Sequence, residues 1–350
     1  MGAPPTGSGV GQAGEAGTLP LVWLLSTGGT IAGTGASSTD LSQYRGATLL
    51  GAELLAAVPE VHHCARVQVE QVVNITSPNV TVDVWRRLAL RIDEIFRADA
   101  QVAGVVVTHG TSTLEETAYF LHLTVRHDRP VVLVGAQRPA TAISADGPLN
   151  LLNAVRTAAA RQSRGLGVLV VMNDEINGAR DVTKANTYRV ETFRSGELGF
   201  LGYVDEDAVM FYRASTRRHT ATSEFDLAQI TQFPRVEIVA SYAGASIAPL
   251  HALAREGVDG IVFAAPGAGS LSDAELDAVR TIVAAGGVAP PVLMRSTRTG
   301  NGRVLGRRSL DELGLLPTDN LSPQKARILL MLALTRTRDR AEIARIFSEY

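Results

Sequence analysis

The stretch GVVVTHGTSTLEET (104–117) constrains the fold more than any other part of the chain. Val105, Val106 and Val107 form a short β-branched run of the kind buried on both faces of a parallel sheet. Thr108 to Thr111 turn the chain on small and hydroxyl residues. Ser112 and Thr113 each have a glutamate three residues later, Glu115 and Glu116, so either pair is placed to close a capping box. The spacing then predicts a helix that carries Leu114, Tyr119, Phe120 and Leu123 inward. Hydroxyls therefore sit at a strand's carboxyl end, beside a helix N-terminus whose free N–H groups favour negative charge. Open α/β sheets bind ligands at that edge. Taken alone, the stretch reads first as an ordinary strand, turn and capped helix.

The rest of the chain repeats the alternation. Strands are expected at 19–25, 66–73, 105–107, 130–134 and 167–172, with helices at 51–58, 82–96 and 148–160, the last with Pro148 in its first turn. This pattern predicts a doubly wound parallel sheet over 19–212. Residues 213–235 lose periodicity and are read as a connection. A second, smaller α/β unit is expected over 236–350, with strands at 236–240, 260–264 and 291–294 and helices at 247–256, 273–285, 323–336 and 340–347. Residues 1–18 are Gly, Pro, Ala and Ser without a basic start or a long apolar run, and are read as a disordered tail.

Hydrophobic residues make up 45% of the chain and charged residues 19%, with a formal net charge of −2. That balance gives no basic stripe for nucleic acid and no membrane-binding segment. Cys64, the sole cysteine, rules out an internal disulfide and fits a reducing compartment, so the cytoplasm is expected. The histidines show no metal-ligand spacing, and His109 is read as a packed, hydrogen-bonded turn residue. The glycines of STGGTIAG (26–33) do not fall as G-x-G-x-x-G and instead suit close backbone approach or a mobile loop. Lys184 and Lys325 are the only lysines. Lys325 falls in an amphipathic helix and is read as an ordinary surface cation. Lys184 follows a strand in a loop and is read as a placed proton acceptor, since burial frees a neutral amine. Thr30, Ser77, Thr111 and Lys184 thus fall in loops that parallel strands would bring to one edge. A hydroxyl nucleophile, a lysine base and helix-terminal N–H donors add up to acyl transfer, with amide hydrolysis as the expected reaction.

The elements STGGTIAG (26–33), EQVVNITSP (70–78), VVVTHGTSTLEETAYFL (105–121), VVLVGAQRP (131–139), SADGPLNLLNAV (144–155), VVMNDEINGARDVTKANT (170–187) and NLSPQKARILLMLALT (320–335) resemble, in order, the bacterial type II L-asparaginases/glutaminases. The resemblance implies a nucleophile at Thr30 assisted by Tyr44 on a mobile loop, and a second hydroxyl at Thr111 working with Lys184. It implies that Ser77, Gly110, Thr111 and Ser112 bind substrate, with Ser77 holding its carboxylate. It also implies no cofactor, and a homotetramer of intimate dimers in which each C-terminal domain completes the partner's site.

The departures bear on substrate. The family's aspartate after the second threonine is Ser112 here, and the residue after the carboxylate-binding serine is Pro78 in place of Gln or Glu. The asparagine donated across the interface falls at Gly244. The acidic residue expected between Arg295 and Leu321 has no clear counterpart beyond a shifted Asp311 or Glu312. In the family these positions surround the substrate's α-ammonium, and stripping carboxylate partners from a partly buried ammonium costs several kcal/mol. L-asparagine or L-glutamine therefore competes with a carboxylate-bearing amide that lacks a free α-amine. A catalytically weak relative that binds a small ligand is a third possibility, since fold does not fix function. Ser112 in place of aspartate also predicts a lower Lys184 pKa.

Overall fold

The computed structural model describes residues 19–285 and 290–350; the tail expected at 1–18 lies outside them. The first half runs β1 (Leu21–Gly28), β2 (Thr34–Gly35), β3 (Tyr44–Arg45), α1 (Gly51–Ala56), β4 (Arg66–Ile75), α2 (Val82–Ala98), β5 (Val102–Thr108), α3 (Leu114–Thr124), β6 (Val131–Val134) and α4 (Gly147–Ala159). It continues through β7 (Val168–Met172), β8 (Glu175–Gly178), β9 (Thr183–Lys184), β10 (Phe193–Arg194), β11 (Gly202–Val204) and β12 (Val209–Phe211). The second half runs β13 (Val236–Ala240), α5 (Ala248–Arg255), β14 (Gly260–Ala265), α6 (Asp273–Ala284), β15 (Val292–Thr297), α7 (Arg308–Asp311), β16 (Leu315–Pro317), α8 (Pro323–Ala333) and α9 (Arg340–Glu349).

An eight-stranded sheet, in the order β12-β11-β8-β7-β6-β5-β1-β4, organises the first half. Strands β4, β1, β5, β6 and β7 are parallel. The other three are antiparallel and were not foreseen as strands, so the sheet is mixed at one edge. The β-branched runs alternate faces as the pleat requires. Val105 and Val107 point into one core, with Trp85, Leu88 and Ile92 of α2 and Leu114 and Ala118 of α3. Val22, Leu24 and Val106 point into the other, with Leu54 and Leu55 of α1 and Leu151 and Val155 of α4. Helix α3 is buried on nearly every side because it is covered twice, by the sheet and by α8. Each of its large buried side chains contributes about 1.5–3 kcal/mol.

The strand order reverses at β1. The chain leaves β1 for β4 on one side, then returns to β5 on the other and continues outward through β6 and β7. The crevice outside the carboxyl ends of β1 and β5 is therefore the topological switch point, where such sheets hold ligands.

A parallel four-stranded sheet, β13-β14-β15-β16, forms the centre of the second half. Its last strand was not expected from the sequence. Helices α5 and α6 cover one face through Leu250, Val279 and Ile282, while α8 covers the other. Residues 213–235, expected to be a connection, are buried in part: Phe225, Leu227 and Ile230 join a core that runs unbroken from α3 to α8 and α9. The two halves thus share apolar packing and bring α8 within reach of the switch point.

Candidate active site

The turns after β1 and β5 touch. Gly28 and Gly29 have φ of 98° and 85°, a left-handed region that costs side-chain-bearing residues energy. A Cβ on Gly29 would lie 2.3 Å from the backbone of Gly110, and one on Gly110 would lie 2.8 Å from Ser77 Oγ. The glycines therefore let three strand-end turns close on one another. Thr27 Oγ1 donates to the Thr108 carbonyl at 2.8 Å and ties the two strand ends.

His109 sets the shape of the second turn. Its Nδ1 donates to the Gly110 carbonyl at 2.7 Å, and its Nε2 contacts Thr117 Oγ1 at 2.9 Å, which takes a bond from Trp85 Nε1 at 2.8 Å. Complete burial pushes the imidazole down to about 4, so it stays neutral. Ser77 is pinned beside it: its Oγ accepts from Ser112 N–H at 3.1 Å, and its carbonyl accepts from Thr113 Oγ1 at 2.7 Å. These bonds take the place of both expected capping boxes. Neither Ser112 nor Thr113 caps α3 through its side chain: the Thr113 hydroxyl is spent on the Ser77 carbonyl, and the Ser112 N–H that a capping box would give to Glu115 is taken by Ser77 Oγ.

Two hydrogen-bonded pairs stand at this crevice. Thr30, in the 3-10 turn after β1, lies 2.7 Å from Tyr44 Oη. Tyr44 is delivered by the β2–β3 ribbon at the base of the exposed 36–43 loop. Thr111, buried after β5, lies 2.7 Å from Lys184 Nζ. Burial lowers the Lys184 pKa, and the Glu115 carboxylate acts in the opposite direction. All the residues singled out in the sequence, Thr30, Tyr44, Ser77, Gly110, Thr111, Ser112 and Lys184, thus fall on these linked turns or on their hydrogen-bonded partners.

Two contributors were missed. Glu115, expected to cap a helix, is buried; its Oε2 accepts from the Lys184 backbone N–H at 2.7 Å and its Oε1 from Gln324 Nε2 at 3.1 Å. Lys325 is no surface cation. It is 2% exposed and donates to the carbonyls of Arg180, at 2.8 Å, and of Val182. Lysine is as rare at 325 as at 184, whereas helical spacing carries no record of carbonyls arriving from another loop.

The residues at the altered positions are also located. The Ser112 side chain is exposed, and Gly244 has open space where a Cβ would stand. Asp311 turns into its own domain, against Gly306 and toward buried Arg295, and Glu312 pairs with Arg308 at 3.0 Å. Within this chain, neither is drawn to the crevice. Among the described residues, no group of three or more His, Cys, Asp and Glu is placed to hold a metal ion, and no helix is long and apolar enough to cross a membrane. Burial raises the pKa of the free Cys64 thiol, as for a structural cysteine.

Residues 21–217 match the asparaginase N-terminal domain family, and residues 235–347 match the glutaminase/asparaginase C-terminal domain family. The chain is 46% identical to L-asparaginase 2 of Bacillus subtilis, over 97% of this chain and 89% of that protein. It is 45% identical to L-asparaginase 2 of Escherichia coli, over 97% and 96%. Identity to the glutaminase-asparaginase of Pseudomonas fluorescens is 42%, over 95% and 91%. The fold superposes on the crystal structure of a probable cytoplasmic L-asparaginase from Campylobacter jejuni with a TM-score of 0.91 at 41% identity, covering 95% of this chain and all of the other.

Proposed function

The chain belongs to the asparaginase family of amidohydrolases, and from that premise we propose that it hydrolyses the side-chain amide of L-asparagine to L-aspartate and ammonia through a threonine nucleophile, Thr30. The observation that carries this reading is the convergence of two hydroxyl pairs, Thr30–Tyr44 and Thr111–Lys184, at one switch point. Thr30 Oγ1 bonds to the amide carbon, the C–N bond breaks, and the hydroxyl proton leaves with ammonia. Water then attacks the ester carbon while the neutral Lys184 amine accepts its proton through the Thr111 hydroxyl; the bond from the acyl carbon to Thr30 Oγ1 breaks, and that proton passes to Thr30 Oγ1, which restores the hydroxyl and the neutral amine. Ser77, Gly110 and Ser112 line the carboxylate end, where backbone N–H groups of the α3 turn favour an anion.

A second reading keeps this chemistry and changes the substrate. Ser112, Pro78 and Gly244 offer no carboxylate or amide where the resemblance predicts contacts to an α-ammonium, and Asp311 is turned toward Arg295. A carboxylate-bearing amide without the α-amine fits that environment. Ammonia release from L-asparagine, L-glutamine, succinamate and glutaramate in parallel separates the two readings. Faster turnover of the amino acids supports the first, and faster turnover of the des-amino amides the second. No release from any of them would remove both and leave a small-ligand-binding protein.

The reading extends to a cytoplasmic homotetramer of intimate dimers in which each C-terminal domain completes a partner's site. Light scattering on the purified protein should give the mass of four copies, and a stable monomer with full activity would contradict it.

A further inference from the structure

Lys184 stands on β9, a ribbon of two residues paired with β10 and outside the large sheet. So short a pairing has little rigidity of its own, and its placement depends on what grips it. On one side the Lys184 N–H bonds Glu115, whose other oxygen is held by Gln324. On the other, Lys325 holds the carbonyls of Arg180 and Val182, while the Arg180 guanidinium bonds Asn320 Oδ1 at 2.8 Å and the Tyr350 carbonyl at 3.0 Å. Residues 180–184 are therefore clamped between α3 and the first turn of α8.

We propose that Gln324 and Lys325 are positioning residues for Lys184: through Glu115 and the carbonyls of Arg180 and Val182, the first turn of α8 fixes the amine against Thr111 and offsets the Glu115 charge. The inference rests on Lys184 being the proton acceptor. An amine that must be neutral is poorly served by a lone buried carboxylate, which favours the ammonium. A second cation within electrostatic reach of that carboxylate, beside its Gln324 partner, offsets the conflict. Burial pushes Lys325 down to about 8, with Glu115 and Asp181 acting against it, so it remains largely charged at neutral pH. Asp181 pairs with Arg180 at 3.0 Å, Tyr119 and His122 of α3 are held neutral by burial, and Glu116 of α3 faces Arg327 of α8. Displacement of a reacting group by about 1 Å costs on the order of a hundredfold in rate, so the clamp has a kinetic signature.

The test is ammonia release by the full-length Gln324→Met, Lys325→Met, Lys325→Arg and Lys184→Met variants. Gln324→Met, at a partly exposed position, should fold normally and lower kcat about 5–10-fold with KM within about twofold. Lys325→Met should lower kcat further and move the acidic limb of the kcat/KM profile upward by about half a pH unit or more, because uncompensated Glu115 then favours the Lys184 ammonium. Lys325→Arg should leave that limb in place, and adding Glu115→Gln to Lys325→Met should bring it back down. If Lys325→Met does not fold, Gln324→Met decides alone. Wild-type kcat in folded Gln324→Met, with Lys184→Met inactive, overturns the positioning role and leaves the proposed function intact. Wild-type turnover by Lys184→Met overturns both.

Discussion

The loop that presents Tyr44 and the floor that presents Thr111 are built in contrasting ways. Tyr44 reaches Thr30 through one hydrogen bond and a two-residue ribbon, at the base of a loop whose residues 36–43 are largely exposed. Thr111 is buried with its methyl against Gly135, and its partner Lys184 is gripped from α3 and α8. Loops with few buried contacts open at low free-energy cost, whereas groups locked by packing hold their geometry. The contrast suits a reaction in which a small amide must enter and leave while proton transfer needs a fixed distance.

The largest effects should come from removing the reacting groups of each region. Thr30→Ala and Lys184→Met should each lower kcat by at least about a hundredfold, and up to about ten-thousandfold, in an ammonia-release assay. Gly29→Ala attacks the seam between the regions. A Cβ 2.3 Å from Gly110 at a φ of 85° should cost about 2–4 kcal/mol, read as a fall in Tm, together with most of the activity. Equal Tm values for wild type and Gly29→Ala would mean that the two turns are not locked together.

Tyr44→Phe removes a single hydrogen bond from the exposed-loop side. The loss should be about 10–100-fold in kcat with little change in Tm, corresponding to about 1–3 kcal/mol in the transition state. A comparable fall in Tm would show that the loop is structural after all. The smallest effect is electrostatic. Burial already lowers the Lys184 pKa, so the amine becomes neutral at a lower pH than a free lysine and activity rises early on the acidic side. Ser112→Asp adds a carboxylate beside Thr111, favours the ammonium, and should move the acidic limb of kcat/KM upward by about 0.5–1 pH unit. An unchanged or lowered limb would refute the proposed role of Ser112.

Much of the scaffold was legible because its signals are local. The valine run of β5 and the repeated spacing of strands and helices specify a covered parallel sheet, and the hydroxyl-bearing strand ends mark its switch-point edge. What was illegible depends on partners distant in sequence. Glu115 and Glu116 have the spacing of capping boxes, yet Ser112 and Thr113 are taken by Ser77, 35 and 36 residues away. Lys325 has the spacing of a surface residue, yet its ammonium meets carbonyls 145 and 143 residues away. Residues 213–235 lack periodicity because they fill a gap between two halves with Phe225, Leu227 and Ile230, which needs no repeat. The antiparallel strands β8, β11 and β12 are only three or four residues long, too short for alternation to stand out.

The division of labour between the two regions is tested most directly by finding where the acyl group resides. Lys184→Met, mixed with the turned-over amide and quenched rapidly in acid, should yield a peptide mass spectrum in which the acyl ester is carried by Thr30, because the step assisted by Lys184 is the one slowed. An acyl group on Thr111, with Thr30 unmodified, would reverse the roles of the two hydroxyls and contradict the account.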